Sequence, residues 1–253
     1  METLIKFWRK FDPNGVQHIH QDDLLHLQNI DKIHFNTFNE YWNDATNLFE
    51  RNKHIHTGLL PGPYGGDLMN AKIYLLLLNP GFSHNDYFSE CQEDVKRAII
   101  NNLRQENLNR DYPFICLNPS LCHTAGGNYW LKKFDSIIKS LRERNDLTYT
   151  ECLKLISQKT CVLELFPYHS RNFGISQRVL NNLPSVRNIK DSLARLINER
   201  PEVLIICMRK PESWGIMTLA ENVFILPSES RQNASLSIKS EAGKLIYDKL
   251  IKN

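Results

Sequence analysis

This chain has no C-x-x-C pair, no zinc-type ligand spacing, no internal repeat, no low-complexity tract, and no apolar run longer than Ile73–Leu78. Each absence removes a class of protein. A run of that length falls far short of the roughly 20 apolar residues a membrane-spanning helix needs. The start, Met1 to Arg9, has neither the apolar stretch nor the small-residue cleavage site of a secretory signal. The expected compartment is therefore the cytoplasm, with no membrane contact. In that setting the 6 cysteines, which lack paired spacing, read as reduced and mostly buried thiols rather than a disulfide framework. The pairs His18/His20 and His54/His56 share a face only in an extended strand, and no third ligand stands near either, so no metal and no cofactor is expected. A net charge of +3 permits a nucleic-acid partner but lacks the strong basic excess of a dedicated DNA-binding domain. No obligate protein partner is evident.

What is present is an ordinary globular composition: 253 residues, 42% hydrophobic and 23% charged, enough for one large α/β domain. Apolar runs bounded by turn residues predict buried strands over 72–78, 161–166, 203–207 and 223–226. Between and after them, helical patterns occupy roughly 90–106, 130–144, 189–199 and the end from about 237. A short extended piece covers 113–117. Alternating strands and helices predict a three-layer α/β/α sandwich around a central four-stranded parallel sheet. The first fifty-odd residues read as helices, with Phe35, Phe38, Tyr41, Trp42, Ala45, Leu48 and Phe49 forming one apolar stripe. Residues 1–57 are thus expected to be a helical extension packed on a core of 58–253.

The richest segment is Ile73 to Phe82, a buried strand that stops at Asn79 and turns through Pro80-Gly81. Ligands of open α/β sheets bind outside the carboxyl ends of the strands, so Asn79 is delivered to a site by a rigid element. Gly81 lets a substrate approach the backbone closely. A long polar loop, Pro227 to Ser235, follows the last strand and carries hydroxyls, amides and Arg231 suited to a phosphate backbone. Local basic clusters lie at Lys132-Lys133, Lys139 to Arg144 and Arg209-Lys210.

Taken in order, these pieces resemble the uracil-DNA glycosylase superfamily over about 58–237. Leu77-Leu78-Asn79-Pro80-Gly81 is similar to its G-x-N-P-G form of the first motif, and Leu226-Pro227-Ser228-Glu229 stands where H-P-S-P is common. Pro113-Phe114-Ile115 with Asn118-Pro119-Ser120-Leu121 resembles the segment of the base-stacking aromatic and a phosphate-contacting turn. Asn128-Tyr129-Trp130 is similar to an N-x-F/Y-W signature of some branches. Leu163 to Pro167 resembles the strand that presents a base-reading Asn, and Pro201 to Ile205 the strand before the last motif. The resemblance implies a DNA glycosylase that flips a base of double- or single-stranded DNA into a pocket. It implies Asn79 as catalytic, holding the attacking water; Pro80, Gly81, Phe82 and Phe114 around the base; and Ser120, Ser228, Ser230, Arg231 and Asn233 on the DNA.

Two departures matter. Leu226 replaces the usual His, and the base-reading Asn is replaced by Glu164 or by Phe166, depending on alignment. A charged residue inside a buried strand is rare without a partner or a task, which favours Glu164. An ionised carboxylate only accepts, so it prefers the exocyclic amine of cytosine to a uracil carbonyl. Gly81, where some branches carry a Tyr, leaves room beside C5. The expectation is a monofunctional glycosylase for a 5-substituted cytosine of phage DNA, hydroxymethylated or glucosylated. The alternatives are a repair glycosylase for uracil or another damaged base, a non-catalytic nucleic-acid-binding relative, and a metal-dependent hydrolase using Asp67, Glu164 and histidines.

Overall fold

A computed structural model describes residues 1–44, 51–216, 220–231 and 235–252. The principal sheet is built on β4 (Ile73–Leu77), whose five residues are all buried. Parallel neighbours flank it: β5 (Thr160–Glu164) on one side and β6 (Leu204–Cys207) on the other, with β7 (Val223–Ile225) beyond β6. A fifth strand, β3 (Tyr64–Gly65), pairs antiparallel with the outer edge of β5, giving the order β3-β5-β4-β6-β7. The sheet is therefore mixed and five-stranded, not the purely parallel four-stranded sheet the sequence predicted. β3 is two residues long and lies among prolines and glycines, so it has no alternating pattern to announce it. It covers an edge that would otherwise offer unpaired backbone groups.

Side-chain alternation along these strands divides the core in two. Tyr74, Leu76, Cys161, Leu163 and Ile205 face one layer. It is supplied by α1 (Glu2–Trp8), α4 (Glu93–Arg104), α7 (Gln177–Asn182) and α8 (Pro184–Glu199). Ile73, Leu75, Val162 and Ile206 face the other, formed by α5 (Ala125–Asn145), α6 (Tyr149–Lys159) and α11 (Glu241–Ile251). The result is an α/β fold with helices on both faces of the sheet, as such strands require.

Several local expectations are corrected. Residues 113–117 are not extended: Ile115–Leu117 form a single 3₁₀ turn. Phe114 N–H donates to Ser157 Oγ, and Ser157 Oγ donates back to Phe114 O, so this segment bonds α6 rather than a sheet. The helix expected over roughly 90–106 is α4, and a separate short helix, α3 (His84–Glu90), precedes it. The N-terminal region is not all helical: β1 (Lys32–Ile33) pairs parallel with β2 (Ile55–His56), and α2 (Phe38–Asp44) follows β1. Of the predicted apolar stripe, Tyr41 is fully buried while Trp42 is 62% exposed; Ala45, Leu48 and Phe49 lie outside the described residues. The polar loop after β7 begins as a short helix, α10 (Ser228–Arg231), and its Asn233 also lies outside the described residues. A further short helix, α9 (Pro211–Trp214), follows β6. No helix is long and apolar enough to cross a membrane among the described residues.

Because Leu75 is fully buried at the centre of the sheet, Leu75→Ala is expected to lower unfolding free energy by about 2–5 kcal/mol, checked by urea denaturation.

Candidate functional site

All four parallel strands end on the same edge of the sheet. The register sets Leu77 opposite Glu164 and Leu76 opposite Cys207. The residues just past those pairs, Asn79 and Arg209, therefore emerge beside Glu164. Two adjoining cavities open at this edge. An outer one of about 360 Å³ is lined by Asn79, Gly81, Phe82, Tyr129, Arg171 and Arg209 among others. An inner one of about 180 Å³ includes Phe114, Cys116, Ser89, Glu90 and Asn102 in its wall. Pro80, Asp86, Gly126, Trp130 and Glu164 belong to both.

Asn79 is held by its amide nitrogen, which donates to Ser170 O and Ser170 Oγ, each at 3.1 Å. A carbonyl can only accept, so this contact fixes the amide orientation. Oδ1 is left without a partner among the described residues. The rest of the turn is clamped as well. His169 sets Nδ1 2.9 Å from Gly81 O and Nε2 3.1 Å from Leu60 O. Phe82 stacks on His56, with ring centroids 3.8 Å apart and planes 11° from parallel. Burial, followed by the charges of His169, His54 and Arg51, lowers the His56 pKa to about 3, so this ring is neutral at physiological pH. Gly81 has φ +68°, a conformation that favours glycine, and a Cβ there would meet nothing within 4 Å.

Glu164 is 7% exposed and its Oε2 has no hydrogen-bond partner. Burial pushes its pKa well above the ordinary carboxylate range, opposed by the charge of Arg209. Burial thus favours its protonated form, which has one donor and one acceptor, over the acceptor-only carboxylate expected from sequence. Phe166, the other candidate for the base-reading position, is fully buried against Tyr168 and Phe173 and lines neither cavity. Phe114 is 1% exposed, packed edge-on to Trp130 and close against Gly65, with its ring on the inner cavity.

The DNA-binding candidates are not gathered around Asn79. Ser120 lies on a separate cavity beside α4. Ser228 Oγ donates to Glu229 Oε2, and neither Ser228 nor Ser230 lines the two cavities. Arg231 folds back to donate from Nε to Leu226 O at 2.7 Å, closing the start of α10. Leu226 itself is 1% exposed and belongs to the core, so its side chain is structural.

Residues that sequence reasoning did not select complete the site. Ser170 and His169 follow β5 directly, a position that strand-end logic would have reached. Arg209 was visible only as part of a basic pair after β6. At the outer rim Lys133 lies 5.2 Å from the Tyr129 ring centroid and Lys210 5.8 Å from that of Phe173. Burial and then the charge of Arg209 lower the Lys133 pKa, so cations crowd one another here. Such a rim favours an anionic, stackable ligand. Among the described residues no group of three or more His, Cys, Asp or Glu is arranged to hold a metal. Comparison with family models, with curated proteins and with solved structures returned no match.

The raised Glu164 pKa carries a sign. Its contribution to stability is complete below the unfolded carboxyl value of about 4.3 and is lost as pH rises through the folded value. Glu164→Gln cannot ionise, so between pH 5.5 and 9 wild type is expected to lose urea resistance relative to the variant. A constant difference across that range would show that Glu164 ionises normally.

Proposed function

We propose that this protein is a monofunctional DNA glycosylase that excises a flipped, modified pyrimidine, with a 5-substituted cytosine of phage DNA as substrate. The observation that carries the reading is the oriented Asn79 amide, with its Oδ1 unused, in the wall of an outer cavity that shares Glu164 with an inner one. Cationic and aromatic groups at the rim suit the phosphates and bases of DNA, and Phe114 offers an aromatic wall to the base; stacking of this kind contributes about 1–3 kcal/mol per base.

The chemistry follows from these groups. Asn79 Oδ1 accepts a hydrogen from a water and aims its oxygen at C1′ of the sugar. As the C1′–N1 bond breaks, its electron pair stays with the base and the water oxygen bonds C1′. The neutral Glu164 acid donates its proton to the departing base, a role the apolar Leu226 cannot fill, and the water's proton restores it. A positioned acid of raised pKa and a preorganised polar group are effective in such a dry site. No lysine lines either cavity, which supports hydrolysis without a Schiff base and an abasic product that stays uncut.

One observation favours a second reading, a repair enzyme for uracil. A neutral acid pairs with the N3–H and O4 of uracil as well as with the N3 and N4 amine of cytosine. Glu164 by itself therefore does not choose between the two bases.

The deciding experiment is abasic-site formation on unmodified, uracil-containing, hydroxymethylcytosine and glucosylated DNA, with strand breaks scored before and after alkali. Activity confined to the modified cytosines is expected, with breaks only after alkali; cleavage of uracil DNA would install the repair reading. Asn79→Ala should reduce excision on the order of 10²-fold while DNA affinity stays within a few-fold. Glu164→Gln, which keeps hydrogen bonding but cannot transfer a proton, should lower the rate about 10²–10⁴-fold.

A further inference from the structure

The inner cavity extends past the groups that a plain pyrimidine needs. Asn79 lines the outer cavity and not the inner, whereas Ser89, Glu90 and Phe114 line the inner and not the outer; Glu90 also borders a separate pocket beside Lys96 and Arg97. A base whose glycosidic bond lies at Asn79 and whose ring faces Phe114 therefore turns its remaining edge toward α3. That end is not a smooth apolar wall. Ser89 is 3% exposed, and its Oγ has no hydrogen-bond partner. Glu90 accepts from Leu60 N–H through Oε2 at 3.0 Å, and this is its side chain's sole hydrogen bond among the described residues. Ser89, Glu90 and Glu164, whose Oε2 is also unpartnered, line one cavity. A buried hydroxyl or carboxyl without a partner is costly, and a ligand that supplies one removes the cost.

The charge state narrows the ligand. Burial raises the Glu90 pKa to about 8 against the opposing Leu60 hydrogen bond, with smaller contributions from Asp86, which raises it, and Lys96, which lowers it. Asp86 is also raised, chiefly by burial. No lysine or arginine lines this space, and both ring nitrogens of its single histidine, His169, already face carbonyls. A largely protonated Glu90 and a hydroxyl, with no lysine or arginine in the wall, suit neutral hydroxyl groups and disfavour a phosphate or carboxylate.

We propose that the inner cavity receives a neutral, hydroxyl-bearing 5-substituent of the flipped pyrimidine, with Ser89 and Glu90 as the residues that select it. This rests on the glycosylase reading for the position of the base. A hydroxymethyl group and a sugar attached through it share this chemistry.

The test separates the cavity from the reaction. Binding of 5-hydroxymethyl-2′-deoxycytidine, 5-methyl-2′-deoxycytidine and 2′-deoxycytidine is measured by calorimetry on wild type, Ser89→Ala and Glu90→Ala. Excision is measured in parallel on duplexes carrying hydroxymethylated or glucosylated cytosine. Wild type is expected to bind the hydroxymethyl nucleoside at least about tenfold tighter than the methyl one, and each variant to lose about tenfold of that preference. Equal binding of the hydroxymethyl and methyl nucleosides, no binding of either, or variants that keep the preference would overturn the assignment. A selective wild type that leaves no abasic site in any DNA would instead remove the glycosylase reading while the cavity assignment stands. The faster-cut duplex identifies the hydroxymethyl group or its sugar as the natural occupant.

Discussion

The site depends on the complete burial of β4 between two parallel neighbours. Both of its faces are covered by helices, so the open end of the sheet is the place where polar side chains can leave the strands without disturbing a core. Pairing of Leu77 with Glu164 and of Leu76 with Cys207 then determines which side chains meet there. Asn79, Glu164 and Arg209 come from three adjacent strands, and a slip of one residue in any pairing would send its side chains to the opposite face. Their juxtaposition is thus a consequence of sheet register.

Polarity changes sharply with depth. At the rim stand Lys133, Arg171, Arg209 and Lys210 with Tyr129 and Phe173; within, burial raises the pKa of Glu164 and, to about 8, that of Glu90, and the Cys116 thiol is pushed up to about 12 by burial, then by Asp86. A polyanion is attracted to the rim but gains nothing by entering, whereas an uncharged base with hydrogen-bonding edges fits the interior. The same burial that makes Glu164 costly to ionise favours keeping a proton on it. Its absence of a hydrogen-bond partner and its raised pKa have one cause.

Long periodic elements were legible in the sequence because one local pattern specifies each: the runs at Ile73, Cys161, Leu204 and Val223 are strands. α6 passed unnoticed although Thr148 and Glu151 form a capping box at its start, a signal as local as any apolar run. What was not legible is tertiary. The conformation at Phe114 is decided by Ser157, forty-three residues away, and the partner of Asn79 is Ser170, ninety-one residues away. The protonation of Glu164 is likewise invisible in its neighbours along the chain, since it is set by what packs around it in space. Arg231 shows a local role that its place in a polar loop did not announce: its Nε donates to the backbone of its own turn.

The N-terminal region is best understood through Phe82. A turn that must hold Asn79 steady has few bonds of its own, because Pro80 lacks an N–H and Gly81 is conformationally free. Stiffness has to come from outside. His56 supplies a stacked ring beneath Phe82, Tyr41 meets Phe82 edge-on at 5.9 Å, and Tyr87 completes the cluster. The backbone N–H of His56 bonds His169 O, and the His169 ring reaches Gly81 O, so the side chain and the carbonyl of the turn are anchored to one short strand. Residues 1–57 therefore act as more than an extension resting on a finished domain: their aromatic groups form one wall of the frame that positions Asn79. A neutral His56 suits this place, because an imidazolium there would stand beside His169 and lack solvent.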